Sequence, residues 1–256
     1  MLPLEIKWEE KEANLKSVEE KLSLLHPETD LVILPETFST GFPSGEDKER
    51  VRSFAEKNSD ETLRFIHYLA HKHNVAITGS YIADSGGLLY NRGFFIEPSG
   101  DEYFYDKHHL FTMAQEDKVF SSGNQKLIVR YRGWNIALII CYDIRFPVWC
   151  RNVNNGYDLL IAVANWPATR VDAWNKLLYA RAIENQAYVC GVDCKGKDKK
   201  EFEYDGSTIA IDFKGKDITV RLPDNDIFYA VLQRDKLDYF REKFPAWNDA
   251  DLFVLS

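Results

Sequence analysis

What most limits the shapes open to this chain is a succession of about nine short apolar runs, each bounded by turn-forming residues. They read as strands at residues 30–35, 75–82, 93–98, 127–133, 135–143, 158–167, 187–192, 207–213 and 227–232. Three other segments, 14–25, 60–74 and 172–186, carry apolar residues at i, i+3, i+4 and i+7 and read as helices, with Asp60 and Asp172 placed as N-caps. "PSGDE" at 98–102 and "FKGKD" at 213–217 are hairpin signals. Interleaved strands and helices predict a mixed α/β fold, with helices covering the outer faces of two sheets, because every sheet and helix must bury its apolar face against another layer. No repeat or linker interrupts the pattern, so a single domain over 1–256 is expected. The segment "REKFPAWNDADLF" (241–253) is aromatic and lacks helical period; residues 241–256 read as a C-terminal tail that packs on something, a partner subunit among the options.

Charge and cysteine usage exclude whole classes of function. A net charge of −8 without a basic cluster argues against nucleic acid, whose phosphates demand a basic face. The one basic run, "KGKDKKEFE" at 195–203, is followed by acids and reads as a solvated loop. No apolar stretch approaches the roughly 18 residues of a membrane span, and "MLPLEIKWEE" lacks the features of a signal peptide, so a cytoplasmic protein is expected. Four cysteines do not make a disulfide scaffold. Cys190 and Cys194 share one strand face with no nearby histidine, which favours core packing over a metal site.

Polar residues stand at the ends of three strands. "LVILPE" puts Glu36 just past one, "YFYDKHHLF" puts Lys107 past an aromatic-rich one, and "IALIICYD" puts Cys141 at the end of another. Ligand sites of open α/β sheets gather at strand ends. A thiol attacks as thiolate; a carboxylate can take its proton, and an ammonium favours negative charge, including an oxyanion shared with a backbone N–H such as that of Tyr142. Each residue also has a plainer reading, Cys141 as a core residue, Glu36 as a helix cap and Lys107 as a strand-end gatekeeper. His108 and His109 leave a Cys–His arrangement open.

"PETF" (35–38), "YDKHHLF" (105–111) and "CYDIRFP" (141–147), in that order, resemble the nitrilase superfamily of carbon–nitrogen hydrolases. "YNRGFFIEPSG" (90–100), "ANWPATR" (164–170) and "ARAIENQAYV" (180–189) extend the likeness over nearly the whole chain, and within the superfamily it looks most like bacterial omega-amidases. The resemblance implies a four-layer α-β-β-α sandwich, with Cys141 as nucleophile, Glu36 as general base, Lys107 as oxyanion stabiliser and Glu116 as a second glutamate positioning lysine and substrate. It implies hydrolysis of small α-keto acid monoamides such as 2-oxoglutaramate and 2-oxosuccinamate through a thioester, without metal or organic cofactor, in a homodimer. The substrate carboxylate calls for a cation, for which Arg145 is the candidate, the alternative being a structural ion pair with Asp143 or another acid. Phe42, Phe111, Tyr142 and Trp166 are candidate walls of a small pocket. Nitrilase or N-carbamoyl hydrolase chemistry, or a silent binding module, stand as rivals.

Overall fold

The computed structural model describes residues 1–43, 47–222, 225–251 and 253. Its helices are α1 (Lys11–Leu22), α2 (Lys48–Arg52), α3 (Glu61–His73), α4 (Glu116–Val119), α5 (Pro147–Cys150), α6 (Val171–Asn185) and α7 (Arg234–Lys243). The first sheet has the order β1 (Leu31–Ile33), β2 (Ala76–Ser85), β3 (Leu88–Ile96), β4 (Glu102–Asp106), with β1 parallel to β2 and the others antiparallel. The second runs β11 (Ile209–Ile211), β8 (Tyr188–Asp193), β7 (Leu159–Ala164), β6 (Trp134–Ile140), β5 (Leu127–Tyr131), and its three middle strands are parallel. A small hairpin, β9 (Lys195–Lys197) and β10 (Glu203–Asp205), leaves the end of β8.

The parallel strands are apolar along their whole length because both faces are covered. All six residues of β7 are buried. One core joins the inner faces, with Phe95 and Tyr105 of the first sheet among Val129, Leu138, Ile140 and Ile161 of the second. Gly93 marks their close approach, since a Cβ there would lie 2.7 Å from Leu138 Cδ2. Outside the first sheet, α1 and α3 present Leu15, Val18, Leu63, Ile66 and Leu69 to Leu34, Ile77 and Tyr81; each such buried side chain stabilises by about 1.5–3 kcal/mol. Outside the second, α6 packs Trp174 and Leu178 over Gly191, whose absent Cβ leaves room for Leu178. The result is the expected α-β-β-α sandwich.

Several local expectations are corrected. Asp172 lies inside α6, paired with Lys176 at 2.7 Å, so it is no cap. Asp60 holds the N-cap position of α3, yet its carboxylate accepts the Lys57 N–H instead. The run at 195–203 is largely exposed, as expected, but its ends pair as the β9–β10 hairpin. Residues 241–243 are helical, closing α7, and a 3₁₀ turn follows at Ala246–Asp249; Leu252 and residues 254–256 of the anticipated tail lie outside the described residues. The hairpin signal at 98–102 joins β3 to β4, whereas the strand read at 227–232 shrinks to Phe228–Tyr229 paired with Val220–Arg221. Cys150, Cys190 and Cys194 are buried core thiols, and among the described residues no His/Cys/Asp/Glu group could hold a metal. No helix among them is long and apolar enough to cross a membrane.

Candidate active site

Strand ends bring the charged residues together. The chain leaves β1 through Leu34 and Pro35, and Glu36 follows, 1% exposed. Its Oε1 accepts from Lys107 Nζ at 3.0 Å and Asn91 Nδ2 at 2.7 Å, and its Oε2 accepts the backbone N–H of Asn165 at 2.8 Å. Asn91 belongs to β3, Lys107 follows β4 and Asn165 follows β7, so one carboxylate ties the two sheets together. Ser80 Oγ fixes Asn91 from behind by donating to its Oδ1 at 2.9 Å, and accepts the Thr37 N–H at 2.8 Å.

Lys107 Nζ lies 3.0 Å from both oxygens of Glu116 as well as from Glu36. Glu116 opens α4, is 2% exposed, and takes the Phe111 N–H at 2.6 Å. Burial works against the charge on Lys107, but Glu116 first and Glu36 second outweigh it, so its pKa is raised and the ammonium persists. Burial raises the Glu116 carboxyl against the pull of Lys107. With both carboxylates ionised, two anions face one cation and the cluster carries −1.

Cys141 is the first residue of a 3₁₀ turn, Cys141–Arg145, that ends β6, and its φ of +47° lies in the left-handed region. Such backbone costs about 1–3 kcal/mol for a residue with a Cβ and persists only where the surroundings impose it. Asp143 imposes it here. Its Oδ2 accepts from Ile140 N at 3.1 Å and Tyr105 Oη at 2.6 Å, and its Oδ1 from the N–H and Nδ1 of His109 at 2.8 and 2.9 Å. From α6, Arg181 donates twice to the Ile144 carbonyl. The Cys141 thiol is pushed well above its ordinary value by burial and then by the charge of Glu36, with Lys107 pulling the other way. It therefore rests as the thiol until a base takes its proton.

Glu36, Lys107 and Cys141 open onto a cavity of about 590 Å³, walled by Phe42, Phe111, Tyr142 and Trp166. Phe111 packs on Tyr142 at 4.9 Å between ring centres, and the Phe42 ring lies 5.5 Å from Lys107 Nζ. Arg145 borders the cavity with its guanidinium 4.8 Å from the Trp166 ring. The alternative pairing of Arg145 with Asp143 does not form, since Asp143 is engaged as above. Glu116 stands behind Lys107 rather than on the cavity wall. His108 and His109 are absent from the wall; they stack on Trp149 and Phe146 at 3.7 and 3.6 Å. A Cys–His pair is thereby set aside.

Among the wall residues that sequence reasoning missed are Asn165, Arg170, Lys200, Phe202 and Tyr204. Asn165 and Arg170 sit in "ANWPATR" directly after β7, where the strand-end rule that found Cys141 would have found Asn165 too. The other three hang from the β9–β10 hairpin, whose charged sequence hides its position over the cavity.

Two stacked sheets that present a thiol, a buried glutamate and a buried ammonium at their strand ends have the build of a hydrolase of carbon–nitrogen bonds. The carbon-nitrogen hydrolase family matches residues 2–242, and the chain belongs to that family. It is 41% identical to omega-amidase YafV of Escherichia coli K12, covering 97% of this chain and 94% of that protein. Identity is 29% to the 2-oxoglutaramate amidase of Bacillus subtilis 168, over 97% and 95% of the two chains. Among solved structures, XC1258 of Xanthomonas campestris, a CN-hydrolase superfamily protein with an arsenic adduct in its active site, superposes with a TM-score of 0.93 at 35% identity, covering 100% of this chain and 97% of that one.

Proposed function

We propose that the protein is an omega-amidase that hydrolyses the terminal amide of small α-keto acid monoamides, 2-oxoglutaramate and 2-oxosuccinamate, to the dicarboxylate and ammonia. The observation that carries this reading is Glu36, Lys107 and Cys141 on one small cavity in a chain 41% identical, end to end, to an omega-amidase. Oε1 of Glu36 has two donors and Oε2 one, so Oε2 keeps a lone pair for the proton of Cys141. As Sγ attacks the amide carbon that proton moves to Glu36, and the cluster stays at −1. Lys107, together with the Tyr142 N–H, stabilises the oxyanion, while Glu116 holds the lysine in place. Protonated Glu36 then gives its proton to the amide nitrogen, the C–N bond breaks and ammonia leaves a thioester on Cys141. Glu36 next takes a proton from water, the hydroxide oxygen bonds to the acyl carbon, the C–S bond breaks, and the proton returns to sulfur. No step calls for a metal or organic cofactor.

The substrate's remote carboxylate is bound by Arg145, which makes no ion pair among the described residues and sits on the cavity rim. Phe42, Phe111, Tyr142 and Trp166 restrict the acyl chain to a short one. One catalytic unit over 1–256, acting in the cytoplasm as a homodimer, completes the reading. Exposed Val148, Ile183, Phe244 and Trp247, on α5, α6 and the segment after α7, supply apolar surface for the dimer contact.

The test is ammonia release from 2-oxoglutaramate by the wild type and by Cys141→Ala, with glutamine and an aliphatic nitrile alongside. Rapid release from the keto-acid amide, lost in the variant and slight with the other two compounds, is the expected result. Absence of release, or an unimpaired variant, sinks the assignment; turnover of the nitrile alone moves it to a nitrilase.

A further inference from the structure

Asn165 is 7% exposed and borders the cavity beside Glu36 and Cys141. Its backbone N–H goes to Glu36 Oε2 and its Nδ2 donates to Thr37 Oγ1 at 2.9 Å. Its Oδ1 is buried and has no partner. A buried carbonyl oxygen left unpaired costs about 1–3 kcal/mol, a cost that a ligand bringing a donor would remove. Thr37 Oγ1 takes one amide hydrogen, and the oxygen is left without a donor. A ligand that brings an N–H or O–H to this point would satisfy it.

We propose that Asn165 is a specificity-determining residue whose Oδ1 accepts an N–H of the scissile carboxamide, selecting amides over acyl compounds that lack that hydrogen. The inference rests on the amidase reading above and adds to it the group that recognises the leaving nitrogen. The placement has a mechanistic consequence. In the tetrahedral intermediate the nitrogen becomes pyramidal, and its lone pair must face the acid that protonates it. One residue arranges both partners, because the Asn165 N–H orients Glu36 Oε2 while its Oδ1 holds an N–H of the leaving group. An ester of the same acid forms the same thioester on Cys141 but offers no N–H, so it passes through acylation without this contact. Substituting the Asn165 side chain leaves the backbone bond to Glu36 in place, which separates recognition of nitrogen from support of the base.

The experiment compares kcat/KM for the terminal amide of 2-oxoglutarate and for an activated phenyl ester of the same acid, in wild type and Asn165→Ala. Loss of a hydrogen bond to the reacting nitrogen is expected to lower the amide value about 10-fold, with the ester changed less than about 2-fold. Equal losses on both substrates, or no loss on the amide, overturn the proposal, since a merely structural role cannot tell the two apart. Should Asn165→Ala fail to fold, Asn165→Ser, too short to reach the nitrogen, is read in the same way. Wild-type enzyme inactive on the amide would remove the amidase reading and this inference with it, whereas an active wild type with an unmoved amide-to-ester ratio removes this inference alone.

Discussion

β7 has a buried charge cluster at each end, and the two are built on opposite rules. At its start, Asp158 is 1% exposed and accepts from Arg241 at 2.8 Å, Arg234 at 2.7 Å and the Asn135 N–H at 2.9 Å. Arg241 also donates to the Gln186 and Tyr157 carbonyls. Two cations serve one anion, and the network docks α7 under the sheet. At the other end two carboxylates share the ammonium of Lys107, and two nearby buried acceptors, Asn165 Oδ1 and Asp193 Oδ2, have no partner. The Asp158 network has a surplus of positive charge and fixes structure, whereas the Lys107 cluster is one positive charge short.

The sharpest way to break this contrast is to remove the cation from each end. Lys107→Met is expected to lower kcat by about 10²–10³-fold through loss of oxyanion stabilisation and to destabilise by about 3–5 kcal/mol, because two buried carboxylates are left facing each other. Arg241→Met should cost a similar about 3–5 kcal/mol in urea unfolding while the folded fraction keeps its kcat. Loss of kcat in a fully stable Arg241→Met protein would erase the distinction between the clusters.

Glu36→Gln sharpens it from the other side. Removing the base should lower kcat about 10²–10⁴-fold, yet removing one of two like charges should leave Tm unchanged or raised. A Tm depressed as far as that of Arg241→Met would put Glu36 among the structural charges.

The smallest expected effect is a pH dependence. Burial, opposed by the N–H bonds of Trp166 and Cys194, holds the Asp193 carboxyl well above its ordinary 3.8. A carboxyl whose folded pKa is raised contributes stability that is present below its unfolded value and lost as pH rises through the folded one. Asp193→Asn keeps an oxygen for both N–H groups and has no proton to lose. Its stability relative to wild type should climb as pH rises above about 4 in urea unfolding; a difference constant with pH would show that Asp193 does not carry that proton.

The architecture was legible because β6, β7 and β8 are apolar throughout and α3 keeps a clean helical period, so local pattern and tertiary packing agree. Glu36, Lys107 and Cys141 were legible because each stands at or just past the end of a strand. α7 was misread because its inward face carries Arg241 beside Leu237, and a buried arginine breaks the apolar period that announces a helix. Asn165 escaped attention since asparagine after a strand commonly marks a turn, and only the structure shows its oxygen unpaired. The residues of the β9–β10 hairpin were hidden for a different reason, as charge patterning reports solvent exposure and says nothing of which cavity a loop overhangs.

That hairpin makes its own shape. Asp198 Oδ1 accepts the N–H groups of Lys200 and Phe202 at 2.8 and 2.9 Å, and its Oδ2 accepts from Tyr204 Oη at 3.3 Å. The bonds of Asp198 that fold its tip are therefore internal to 195–205, with Lys199 reaching outward to Glu9 and not to the sheets that hold Glu36, Lys107 and Cys141. Lys200 and Phe202 can change without disturbing those three residues. The rim is thus a separately folded frame around the cavity, joined to the three residues beneath it by position and not by shared bonds.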